Sequence, residues 1–145
     1  MWRLLFLSVN VSAVLLAGWL AETGGRGDAL FHGKEELHAR IRGHEDALPP
    51  ETVRCANCHE AANNVRLSRV AAPRLDRSIL LESRQRRGGP PSGYDQAAFC
   101  QLLRTGIDPA HILIAREMPV YEMNEAQCVS LWMFLLEKEN ADAKH

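Results

Sequence analysis

The sequence predicts an all-α domain behind an N-terminal hydrophobic helix, and three observations carry that expectation. Apolar residues recur at helical spacing within 28–42, 94–104 and 125–138. Nothing alternates apolar and polar residues with period two for long, so strands are not expected. The breaks between the periodic segments are those of helices joined by turns: Pro49-Pro50, Gly88-Gly89-Pro90-Pro91 and Gly106. At 145 residues the chain has room for one domain with a modest core.

Taken in order, Met1, Trp2 and Arg3 form a short positive start, and 18 uncharged residues follow from Leu4 to Ala21. Residues 1–21 read as an export signal or as a single membrane anchor. No A-x-A cleavage site follows, since cutting after Ala21 would put Trp19 at the third position back. As a helix, 18 residues span about 27 Å, close to the ~30 Å of a bilayer's hydrocarbon core. Residues 22–27, with Thr23-Gly24-Gly25-Arg26-Gly27, read as a hinge. The domain is expected over 28–140, with an N-terminal helix and a following stretch in 28–50, a core in 51–140, and a tail at 141–145.

Within it, Leu30, Phe31, Leu37 and Ile41 suggest a helix capped by Asp28, or two shorter ones divided at Gly33. Pro49 stops that segment, and Pro50 suits the first turn of a short helix from Glu51 to Asn57. Asn63 to Pro91 reads as irregular, with a short helix around Asp76 to Ser83. A helix from Tyr94 to Arg104 places Phe99, Leu102 and Leu103 inward and ends at Gly106. Ile107 to Tyr121 reads as a loop punctuated by Pro109 and Pro119. The last helix, Glu125 to Lys138, has Asn124 and Gln127 as a capping box and Met123 and Cys128 as a hydrophobic staple. Its inner face continues through Leu131, Phe134 and Leu135.

Charge narrows the partners. A formal net charge of -1 and 6% aromatic residues argue against nucleic acid. The charge is also polarised. Between Arg66 and Arg87, seven arginines face Asp76 and Glu82, a balance of +5; from Glu117 onward six acidic and two basic residues give -4. Such a molecule orients as it approaches a charged partner, at rates that fall with salt.

The chemistry gathers at Cys55-Ala56-Asn57-Cys58-His59. Two thiols three positions apart with an imidazole directly after match the attachment pattern of a c-type haem. On a short helical stretch that spacing brings both sulfurs to the two vinyl groups at one porphyrin edge, and the next side chain points at the iron. A zinc site with Cys100 and Cys128 is the rival, but adjacent Cys and His sit awkwardly around one tetrahedral ion. Met118, followed by Pro119, offers a thioether on a locked loop as sixth ligand; this soft neutral donor favours reduced iron. Met123 is the alternative, better read as part of the staple. His32, His38, His44 and His111 read as surface residues. Cys100 and Cys128 remain, and in an oxidising compartment two leftover thiols on helices that pack together form a disulfide. Closing that loop of 29 residues stabilises the fold by roughly 3.5 kcal/mol on the chain-entropy account. The arginine stretch divides between a solvated loop, partners for haem propionates, and a docking patch for an acidic protein.

These motifs resemble those of the class I (monohaem, His/Met-ligated) c-type cytochromes of the bacterial periplasm. The matching parts are CANCH at 55–59, APRL at 72–75, RTG at 104–106, MPVY at 118–121 and SLWMFL at 130–135, together spanning about Thr52 to Leu136. The resemblance implies a small cytochrome c fold wrapped around one covalently bound haem c. It implies thioether bonds from Cys55 and Cys58, proximal ligation by His59 and distal ligation by Met118. It also implies that the backbone carbonyl of Pro73 receives the proximal imidazole N–H. Gly27 and Phe31 against Leu131 and Phe134 are similar to the family's crossing of first and last helices. One departure stands out: Phe31 and Cys55 are 24 positions apart, where the family's first helix runs almost directly into the cysteines. His32 to Pro49 is then an insertion, or the Glu51 segment is the true first helix. The implied function is one-electron transfer between periplasmic redox proteins, by a carrier rather than an enzyme, soluble or anchored to the inner membrane by residues 4–21. Two other readings stand beside it: a cytochrome subunit taking electrons from a periplasmic dehydrogenase, and a haem sensor or peroxidase-like protein with Met118 off the iron.

Overall fold

The computed structural model of the chain describes residues 25–60 and 72–138. The export or anchor segment 1–21, hinge residues 22–24, Arg66, Arg69 and the tail 141–145 lie outside the described residues. No described helix is long and apolar enough to cross a membrane.

The all-α expectation is corrected by two small antiparallel sheets. Among the described residues helix makes up 40% and strand 13%, so the fold is mixed rather than purely helical. The described elements run α1 (25–32), β1 (His38–Arg40), α2 (Cys55–His59), α3 (Arg77–Leu81), β2 (Arg84–Gln85), β3 (Pro91–Ser92), α4 (Gln96–Thr105), β4 (Val120–Glu122) and α5 (Glu125–Glu137).

Residues 25–27, expected in the hinge, already belong to α1. The absence of a side chain at Gly27 lets α1 cross α5 at close range, since a Cβ there would overlap the Ser130 carbonyl and Phe134 Cβ. Phe31 stacks obliquely on Phe134 with centroids 5.5 Å apart. Gly33, at φ +73°, ends the helix in a left-handed conformation. The helix expected to continue to Arg42 is instead strand β1, paired with β4 through His38↔Glu122, Ala39↔Tyr121 and Arg40↔Val120. Leu37 and Ala39 are buried and Ile41 half-buried, a period-two pattern.

The segment between β1 and α2 is tied to the far side of the molecule. Arg42 donates to the carbonyls of Gly106 (3.3 Å) and Ile114 (3.2 Å). Pro49 and Pro50 form turns closed by Thr52 N and Val53 N, so the short helix begins at Cys55 rather than Glu51. Asp76 caps α3 by accepting from Ile79 N at 2.9 Å. β2 and β3 form a hairpin, Arg84↔Ser92 and Gln85↔Pro91, where irregular chain was expected. Asp95 caps α4, which ends at Gly106 with φ +72°. The loop beyond contains an isolated bridge, Ile107↔Leu113, and leads into β4. Asn124 and Gln127 form the capping box of α5.

The core lies where α1, α4 and α5 meet the β1–β4 ribbon, around the fully buried Phe31, Leu30, Leu131 and Leu135. Cys100 on α4 and Cys128 on α5 are joined by a disulfide with Cα atoms 5.8 Å apart, inside this core.

Candidate functional site

The site is built on α2 and on what fixes its two ends. Asn57 Nδ2 reaches back to the Glu51 carbonyl at 2.9 Å, and Tyr121 on β4 donates from its hydroxyl to the Val53 carbonyl at 2.9 Å. At the other end Glu60 accepts from Lys138 at 2.7 Å and pairs with His32 at 2.7 Å, so α2 is held by both the first and the last helix.

Cys55 is buried at the start of α2, and Cys58 is exposed one turn later; neither is disulfide-bonded. Burial pushes the Cys55 thiol up to about 11, against hydrogen bonds from Tyr121 and its own backbone that favour the thiolate. At neutral pH it is a protonated thiol, which makes it a poor resting metal ligand. His59 Nδ1 donates to the Pro73 carbonyl at 2.7 Å. A carbonyl only accepts, so the proton sits on Nδ1 and Nε2 keeps its lone pair. Burial lowers the pKa of His59, the Pro73 bond opposes that, and the positive charge of Lys138 adds to it. The imidazole is therefore neutral at pH 7, the form that can ligate a metal.

Cys55, Cys58, His59 and Pro73 line one cavity of about 910 Å³, and Met118 lines the same cavity from the loop before β4. Its walls are largely apolar, with Phe31, Leu80, Phe99, Leu103, Leu131 and Leu135 among them. The volume lies toward the upper end of the range for cofactor sites, ~300–1,000 Å³. His59 is the only histidine and Met118 the only methionine on the described lining. Met123 is buried in the core, away from the cavity. His32 is held between Asp28 and Glu60, His44 lies beside Arg116, and His38 and His111 are exposed.

The donor set suits a covalently held planar cofactor better than a bare ion. Cys100 and Cys128 are spent on each other, and among the described residues no group of three His, Cys, Asp or Glu side chains converges to hold a metal. Two thiols, one imidazole with a free Nε2 and one thioether around an apolar cavity fit a haem with His/Met ligation.

The arginine stretch has several uses. Arg86 is a brace: it donates to the carbonyls of Ile79 (2.7 Å) and Ser92, and its guanidinium lies 4.9 Å from the Tyr94 ring centroid. Arg84 pairs with Glu82 at 2.6 Å, and Arg87 is exposed on the cavity rim. Sequence reasoning missed Tyr121, Tyr94 and Asp108 as parts of the site. Tyr121 lay within a quoted motif without a role, whereas Asp108 carried no signal at all. Comparison of the chain with protein-family models, curated proteins and solved structures gives no match.

Proposed function

We propose that the chain is a one-electron carrier holding a single haem c through Cys55 and Cys58, with His59 and Met118 as axial ligands. The observation that carries the reading is the His59–Pro73 hydrogen bond on the wall of an apolar cavity shared with both free cysteines and Met118. When bound, the haem supplies a reversible one-electron couple.

The chain's own residues do the rest. Pro73 fixes the tautomer and ring plane of His59, which keeps Nε2 available as a ligand. The apolar wall excludes water, which lowers the dielectric and favours the less charged, reduced state. Met118, a neutral donor, acts in the same direction. With His59 and Met118 both holding the metal, no place would be left for a substrate there, so the protein would carry electrons rather than catalyse. The hydrophobic segment 1–21 supports placement in the periplasm, where periplasmic redox proteins act as donor and acceptor.

Expression of the full chain in a bacterium with haem-attachment capacity tests the reading. The expected product has haem covalently bound to Cys55 and Cys58 and, when oxidised, shows the near-infrared methionine-to-iron band. That band disappears in Met118→Ala. A purified protein without covalent haem overturns the reading, and persistence of the band in Met118→Ala overturns the ligand assignment.

A further inference from the structure

Met118 sits on a loop whose two ends are held by one short stretch of chain, residues 40–42. On the far side Arg40 of β1 pairs with Val120 of β4, two positions after Met118. On the near side Arg42 lays its guanidinium across the neck of the loop that follows α4. Its Nη1 donates to the Gly106 carbonyl at 3.3 Å and its Nη2 to the Ile114 carbonyl at 3.2 Å. Ile114 N closes the same neck from within by donating to the Gly106 carbonyl at 2.9 Å. From there a single turn reaches the candidate ligand, and in it Met118 N donates to the Ala115 carbonyl at 3.1 Å. The exposed Arg116 in that turn lies against His44, two residues beyond Arg42.

The neck is shaped for this contact. Gly106 turns the chain at φ +72°, and a Cβ there would crowd Arg42 Nη1. Arg42 is half-buried and is not on the described cavity lining, whereas Ile114, Ala115, Met118 and Pro119 are. It therefore meets the loop from behind and leaves the contents of the cavity untouched. A guanidinium suits the position because its rigid plane offers two donors to two carbonyls at once. Those bonds reach 64 and 72 positions along the chain, so the loop cannot supply them itself.

A thioether is a soft donor without charge. How firmly it stays on a metal depends on the loop that presents it, since a loop that opens lets a small solute take its place. We propose that Arg42 is a positioning residue for Met118: by tying the Gly106 and Ile114 carbonyls together it holds the 114–118 turn against the cavity and keeps outside ligands off the sixth position. The inference rests on the one-electron reading above. It gives the segment His32 to Pro49, which separates the first helix from the cysteines, a task at the opposite wall of the site.

The test uses the full haem-loaded chain in its oxidised form, with imidazole at about pH 8 as a neutral probe whose approach is not biased by removing a positive charge. Displacement of Met118 is followed as loss of the near-infrared methionine-to-iron band. Hydrogen exchange of the Ile114 and Met118 amides is read separately, without imidazole. Arg42→Ala is expected to take up imidazole about tenfold faster, the scale set by losing hydrogen bonds from a charged donor, and to exchange both amides faster. Arg104→Ala is the comparison, because Arg104 donates to the Met123 carbonyl at 3.0 Å and to Glu125 at 2.9 Å, beyond β4 and away from the turn. Both readouts are expected to stay at their unsubstituted values there.

An unchanged value of either readout in Arg42→Ala, or an equal acceleration in Arg104→Ala, overturns the proposal. Should Arg42→Ala fail to fold, Arg42→Lys decides. Lysine keeps the charge, but an ammonium lacks the planar fork that spans both carbonyls. Faster imidazole uptake than in the unsubstituted protein is expected, and an equal rate overturns the proposal. A protein that carries no covalent haem, or shows no methionine band, fails the one-electron reading before any uptake is measured. A His/Met-ligated protein whose uptake ignores Arg42 fails only this inference.

Discussion

The two halves of the molecule are stabilised by different means. In one, α1, α4 and α5 bury Phe31, Leu131 and Leu135 against one another, and a disulfide ties α4 to α5. In the other, the short helix α2, the β2–β3 hairpin and the loop 107–119 surround the cavity of about 910 Å³. The first half has protein on most sides of its apolar residues, with Phe31, Leu131 and Leu135 also forming one wall of the cavity. The second has protein on one side, and its stability must come from whatever fills the space. The difference teaches that a chain of this size can leave part of its core to a ligand, provided the rest closes on itself.

The sharpest way to break this contrast is to withhold the filling. Replacing Cys55 and Cys58 by alanine is expected to strip amide protection from 84–94 and 107–119 while α4 and α5 keep theirs, as read by hydrogen exchange. Equal loss in both halves would erase the distinction. Next in size is the disulfide. Serine at both Cys100 and Cys128 should lower the stability of the closed half by about 3.5 kcal/mol in denaturant titration. Gly27→Ala forces α1 away from α5 and should cost roughly 1–3 kcal/mol. Tyr121→Phe leaves the Val53 carbonyl unpaired beside α2, with an expected loss of about 1–2 kcal/mol that falls on the cavity half.

The smallest effect is that of acid. Hydrogen bonds hold four carboxyls below their ordinary values: Asp28 through Lys34, Glu35 through Arg26, Glu60 through Lys138, and Asp76, against its burial, through Ile79 N and Ser78. A depressed carboxyl stabilises the fold fully above its unfolded value and loses that contribution as pH falls through the folded one. From these carboxyls stability should decline only below about pH 4.5, while the lowered pKa of His59 adds a loss that begins as pH falls below its ordinary 6.5. All four carboxyls are largely solvated, so their share of the decline is modest. An increase in stability on acidification would reverse the assigned sign.

Where elements are long and chemically punctuated, they were legible in the sequence. Asn124 with Gln127 marks the start of α5 and Gly106 the end of α4 because caps are local chemistry, whereas Asp95, the cap that starts α4 just inside the expected helix, was not read. The strands were not legible, since two or three residues cannot display a period. Leu37 and Ile41 are four apart, which suits a helix face; the buried Ala39 between them makes the spacing two. Alanine is small enough to pass for a neutral position, and the pairing with Val120 and Tyr121 lies about 80 residues away in the chain. In the site, the residues that could be named in advance are those whose chemistry is tied to local spacing: Cys55, Cys58, His59, and Met118 ahead of Pro119. Asp108 is distinguished by its burial in the folded chain, which no local pattern reports.

Glu60 bears on how the molecule is assembled. The residue next to His59 is fastened to His32, 28 positions earlier, and to Lys138, 78 positions later. Everything that supplies the site's chemistry is synthesised well before Lys138, yet the C-terminal end of α2 has only His32 to hold Glu60 until α5 has folded onto α1. A chain halted short of position 138 would hold all the cavity's reactive groups and lack half of that fastening. The last turn of α5 thus acts as a completion mark: the geometry around His59 becomes final only when this part of the chain is in place.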